Sequence, residues 1–247
     1  MRSIGTSAIV FVCIFGAALL GMLLRSALPE HHLSSDSKDA VKVGIGLVGT
    51  MAALVLGLLV ASAKGNYDSQ GAALTQLSAN VVMLDRMLAH YGPETKEIRD
   101  LLRRVVNGLI DSVWSKSGSG SAPAAGNEIL YEKIQELSPK DDRQRALQGQ
   151  ASSIAISAGQ TRWLMYEQGV ASVSMPLLVV LVLWLSLILG SYGLFAPVNG
   201  TVIGSMCVCA LAVSAAIFLI LEMYSPFSGM IQLSSAPLQA ALAHLGQ

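Results

Sequence analysis

Four long apolar runs with few charges or none, at residues 4–24, 41–63, 175–195 and 201–223, constrain this chain more than anything else in it. About 20 helical residues, each rising about 1.5 Å, cover the roughly 30 Å hydrocarbon core of a bilayer. A backbone crossing lipid must satisfy its own polar groups, and a single apolar run does so as a helix. The expected fold class is therefore all-α and integral to a membrane, with four transmembrane helices in two hairpins, residues 1–63 and 175–223. Between them, residues 64–174 read as an α-helical cytoplasmic insert, and residues 224–247 as a cytoplasmic amphipathic tail. A hydrophobic share of 53% is too high for an ordinary soluble domain and fits once the four runs are given to lipid.

Charge excludes one class of partner. Sixteen basic residues balance sixteen acidic ones, so the one-sided positive surface that nucleic-acid binding needs is missing. Cys13, Cys207 and Cys209 all fall inside apolar runs, where they act as small hydrophobes, and no paired-cysteine metal spacing is present. Nor is there a nucleophile elbow, a phosphate-binding glycine loop with lysine, or an HExxH motif. No enzyme, metal or cofactor is expected. The first run exceeds the 7–15 residues of a signal-peptide core, so it reads as a retained span. Basic residues pull the orientation both ways, Arg25, Lys38 and Lys42 in the first loop against Arg2, Lys64 and Arg162 on the other face; the termini and insert are placed in the cytoplasm.

Along the chain, Pro29 stops the first helix, and Asp36 with Asp39 three residues on reads as a cap for a second helix starting near Ser37. Leu74, Leu77, Val81, Leu84 and Leu88 recur at spacings of three and four, and Tyr91-Gly92-Pro93 divides residues 67–113 into two amphipathic helices. SKSGSGSAPAAGN, residues 115–127, has the composition of a flexible tract. A short helix follows before Pro139, and residues 141–174 read as one long helix running into the third span. Trp163, Tyr166, Tyr192, Phe195, Tyr224 and Phe227 flank the last two spans as interfacial aromatics, whereas Trp184 at mid-span reads as packing. Leu238, Leu242 and Leu245 give the tail one apolar side, lying on the membrane or on the insert.

The second span holds the first candidate site. Gly49, Ala53, Gly57 and Ala61 recur every four residues and form a smooth face for close helix packing. The opposite face, Met51, Val55 and Leu59, is left for lipid or for the axis of an oligomeric pore, where apolar side chains form a constriction. At the membrane edge follow Ser62, Lys64, Asn66, Tyr67 and Asp68, readable either as a helix end with a snorkelling lysine or as a functional junction. His31 and His32, beside Glu30 and Asp36, suit a pH or ion site or a plain loop. Glu222, near the end of the fourth span, is either an intramembrane acid with a function or a solvated one just past the interface. Lys96, Arg99, Arg103 and Arg104 form an electropositive vestibule or, with Glu97 and Asp100 interleaved, a solvated face.

The junction SAKGNYD resembles, in partial form, the segment that follows the pore-lining span of bestrophins, pentameric anion channels, with Ala63, Lys64 and Ser69 where that pattern has other residues. A closer likeness covers nearly the whole chain through LPEHHLSSDSKD, GLVGTMAALVLGLLVASAK, LDRMLAHYGPET, QTRWL, GLFAPVNGTV and LEMYSPFSGMIQLSSAPLQAALAHLG. On these the chain is similar to the bacterial bestrophin-like membrane proteins. The resemblance implies a homo-oligomer, a pentamer by analogy, in the bacterial inner membrane, conducting a small inorganic anion past a neck on the second span. The other reading is a non-conducting scaffold whose insert, above all residues 74–88, binds a partner.

Overall fold

The computed structural model of the chain describes residues 2–27, 35–114, 126–170 and 174–246, and it divides into two compact units. Unit 1 comprises residues 1–65 and 172–224, and unit 2 residues 66–171 and 225–247. The described residues form helices and short connections: α1 (Arg2–Ala27), α2 (Ser35–Tyr91), a 3₁₀ turn (Pro93–Thr95), α3 (Lys96–Trp114), α4 (Gly126–Gln135), α5 (Asp142–Val170), α6 (Met175–Phe195), α7 (Gly200–Met223) and α8 (Ala236–His244). Pro29, His31 and His32 lie outside the described residues, as does the Asp36 side chain; so does most of the tract 115–127, whose last two residues begin α4. Four helices are long and apolar enough to cross a membrane, and the protein is multi-pass.

Two expected boundaries move. The helix of the second span does not end at the membrane edge: α2 is one element of 57 residues. No proline interrupts it, and Gly65 and Gly71 cost a helix only about 1 kcal/mol each. It stops at Tyr91-Gly92-Pro93, where Gly92 takes φ 147 and Pro93 opens the next turn. The third span is not an extension of the helix before it. α5 ends at Val170, Ser174 is extended, and α6 restarts with Pro176 in its first turn, the place in a helix where a missing N–H is harmless.

In unit 1, α1 packs against α6 and α7, and Val10, Ile14, Ala18 and Met22 lie on its buried side. The tightest approach is built on glycine. A Cβ on Gly21 would fall onto the Gly190 carbonyl, and one on Gly193 onto the Ala18 carbonyl. Backbones meet this closely in lipid because packing, not hydrophobicity, drives association there. Leu181, Ala210 and Ile217 complete the core, and Trp184 packs against it as expected for a mid-span indole. Arg25 donates to the Ala196 carbonyl at the end of α6, and Asn199 Oδ1 accepts from Val202 N (2.8 Å) to cap α7.

In unit 2 the leucine stripe of α2, Leu74 to Leu88, is wholly committed. It meets Ile98, Leu102 and Val106 of α3, Leu130 and Ile134 of α4, Ala151 and Ala155 of α5, Leu238 and Ala241 of α8, and Leu245 just after it, in one core. The tail therefore lies on the insert, where Phe227 stands edge-on against Trp114 (5.5 Å), whose Nε1 donates to Leu233 O (2.8 Å). Asp85, 3% exposed, accepts from Arg99 Nε (2.7 Å), Arg99 Nη2 (2.8 Å) and Gly246 N (3.1 Å), and Arg103 donates to the Leu245 carbonyl. Burial alone would raise the Asp85 pKa. The Arg99 bonds, the Gly246 N–H and the charges of Arg99 and Arg103 outweigh it and hold the carboxyl below its ordinary 3.8.

Candidate functional site

Within unit 1, α2 is the least covered of the spans. Some 11% of its most apolar stretch is buried, against 22% for α1, 22% for α6 and 28% for α7. It joins the core through Ala52, Leu59 and Ala63, with Val55 and Leu56 packed beside them. The helical period then fixes which residues turn outward. Leu47 (64% exposed), Met51 (46%), Leu54 (75%) and Leu58 (62%) recur at spacings of four, three and four and make one apolar ridge. Beside it runs a smooth flank of Gly46, Ala53 and Gly57; Ala53 is exposed, and a Cβ on Gly46, Gly49 or Gly57 would meet nothing within 4 Å.

This corrects the phase read from the sequence. Of the three residues assigned to an outward neck, Met51 faces outward, Val55 is half-buried, and Leu59 turns into the core at 3% exposure. The stripe Gly49, Ala53, Gly57 and Ala61 is not how the protomer packs this helix: Ala53, Gly57 and Ala61 are exposed. The side of α2 that is buried carries Ala52, Leu59 and Ala63, with Val55 and Leu56 beside them, and so lies between the two faces read from the sequence.

At the end of the span, Ser62 Oγ lies 3.0 Å from Tyr224 Oη, joining α2 to the close of α7. Lys64 and Asp68 are exposed, and Asn66 and Tyr67 half-buried. The motif is thus spread around one helix rather than gathered at one point. Glu222 differs from its solvated reading: it is 3% exposed, because the last turn of α7 packs inward with Ile217 and Ile220. Cys13 and Cys209 are exposed and Cys207 half-buried. Among the described residues no three His, Cys, Asp or Glu side chains come close enough to hold a metal ion.

The sequence matches the bestrophin-like domain family over residues 12–238, and the protein belongs to that family. Its fold is also that of solved structures. Two crystal structures of a bacterial bestrophin homologue from Klebsiella pneumoniae, each carrying a single substitution, superpose on the chain. One does so with a TM-score of 0.68 at 14% identity over 96% of this chain and 97% of the other. The second gives a TM-score of 0.63 at 14% identity over 94% and 97%. No curated protein sequence matches the chain.

Sequence reasoning missed two features. The α1–α6 seam rests on Gly21, Gly190 and Gly193, and the Gly190/Gly193 spacing inside an apolar run was the available signal. The Asp85–Arg99 pair was hidden because its partners lie on different helices.

Proposed function

We propose that the protein is the subunit of a homo-oligomeric ion channel of the bacterial inner membrane, with the outward face of α2 lining its pore. The observation that carries the reading is the uncovered face of α2, an apolar ridge beside a glycine flank on the least buried span. A glycine facing lipid gives up about 1 kcal/mol of helix propensity for no contact, whereas one facing another helix admits close approach. The flank of Gly46, Ala53 and Gly57 accordingly meets the neighbouring subunit. The ridge of Leu47, Met51, Leu54 and Leu58 narrows the lumen to an apolar neck that resists wetting, with Val55 at its edge and Leu59 behind it.

The spans are arranged as two hairpins, with both termini and unit 2 in the cytoplasm. Anions are the permeant species and five subunits close the ring, as the likeness to bestrophins implies. The scaffold reading loses its docking face, since Leu74, Leu77, Val81, Leu84 and Leu88 are buried in unit 2 itself.

The test is reconstitution into liposomes, with chloride and potassium flux measured separately and subunit number read by mass photometry on the same sample. A closed ring passing chloride in preference to potassium supports the channel, its anion preference and its assembly. Potassium-selective flux keeps the channel and removes the anion assignment; a monomer without flux removes the channel.

A further inference from the structure

Gln70 of α2, in unit 2, is fully buried at 0% exposure. Its Nε2 donates to Met165 O (3.2 Å) and, more weakly, to Gln168 Oε1 (3.5 Å) on the last turns of α5. Those bonds fix which way the amide lies, because turning it over would set Oε1 against the Met165 carbonyl oxygen. So fixed, Oε1 is an acceptor without a hydrogen-bond partner among the described residues. One helical turn earlier, Asn66 Nδ2 is buried and is a donor in the same condition.

An unmatched acceptor and an unmatched donor four residues apart on one helix define a ligand by its chemistry. Cβ atoms at this spacing stand about 5–6 Å apart, the span of one molecule making two hydrogen bonds of about 2.9 Å. The ligand must accept from Asn66 and donate to Gln70. A cation is disfavoured by the amide N–H and an anion by the amide oxygen, and buried polar groups left over by the protein are ordinarily met by ordered water. We propose that Asn66 and Gln70 hold one buried water molecule, which accepts a hydrogen bond from Asn66 Nδ2 and donates one to Gln70 Oε1. Ser69 Oγ, which donates to Gln168 Oε1 (3.4 Å), closes the same polar junction. The water ties the end of α5 to α2 just beyond the apolar span, and gives Asn66 of the membrane-edge motif a role that holds whether or not the protein conducts.

The experiment is thermal unfolding of the full-length protein in lipid nanodiscs, with Asn66→Leu, Gln70→Met and the double variant, beside a cryo-EM map of the wild type. With a bridging water, Asn66→Leu lowers the apparent Tm, the double variant falls by less than the sum of the singles, and density stands between the two amides. If the donor is in fact unmatched, removing it is favourable: an Asn66→Leu variant with unchanged or raised Tm overturns the proposal. A Tm that climbs selectively with sodium or potassium over choline makes the occupant a cation and overturns it as well. Should Gln70→Met fail to fold, Asn66→Ser decides, because it keeps a donor and must stay nearer the wild type than Asn66→Leu.

Discussion

Two sets of glycines in unit 1 look alike in sequence and do opposite things. Gly21, Gly190 and Gly193 sit where α1 and α6 touch, and a Cβ at Gly21 or Gly193 would land on a backbone carbonyl. Gly44, Gly46, Gly49 and Gly57 of α2 have open space where a Cβ would go. The first set is consumed in making the protomer. The second is left over by it, so its close-packing capacity is available only to something outside the protomer. Spacing alone does not tell a fold-forming glycine stripe from an assembly-forming one; what distinguishes them is whether the chain already has a helix to put against them.

The comparison is broken most severely at the covered seam. Gly193→Leu drives a branched side chain into the α1 backbone, an overpacking that costs about 3 kcal/mol or more; size-exclusion chromatography in detergent will show aggregate in place of a folded peak. Unit 2 supplies the next effect. Asp85→Ala leaves the Arg99 guanidinium, only 22% exposed, without its carboxylate, a loss of about 3 kcal/mol read as a lower apparent Tm. Because the folded pKa of Asp85 is depressed below 3.8, its contribution is fully present above about that pH and is lost as pH falls through the folded value; Asp85→Asn removes that slope from the Tm-versus-pH curve.

The open stripe gives a smaller effect on stability and a larger one on assembly. Gly57→Leu adds a side chain where nothing stands within 4 Å, so the stability of the protomer changes by no more than about 0.5 kcal/mol, while mass photometry shows fewer subunits per particle. Smallest of all is Val198→Ser: the residue is 65% exposed, and the change alters stability by no more than about 0.5 kcal/mol, leaving the particle mass as in the wild type.

Much of this was legible in the chain, and the part that was not has a physical reason. The four spans were readable because bilayer thickness sets a length that no other apolar run in the chain matches. The corner at Tyr91-Gly92-Pro93 was readable because glycine and proline act locally, and the leucine stripe of residues 74–88 because water makes an apolar face pair up. Helical phase in lipid was a different matter. Lipid is as apolar as leucine, so neither side of α2 announces which way it turns: Leu59, read as outward, is buried, and Ala53, Gly57 and Ala61, read as packed, are exposed in the protomer. Glu222 stays open between two readings for a related reason, since its distance from the end of the run does not say which way the last turn of α7 faces; that turn buries it to 3% exposure. The continuity of α2 past Lys64 was hidden by a composition change that alters solvent, not secondary structure.

In the proposed channel the outward ridge of α2, and not merely any lipid-exposed apolar surface, borders the ion path. Flux through reconstituted protein should therefore be compared between Leu58→Ser on α2 and Leu183→Ser on α6, side chains 62% and 56% exposed in the protomer. A pore bordered by this ridge requires that Leu58→Ser change the conducted flux several-fold, as hydrating an apolar neck does, while Leu183→Ser leaves it at the wild-type level. Equal flux from both variants and the wild type would contradict it.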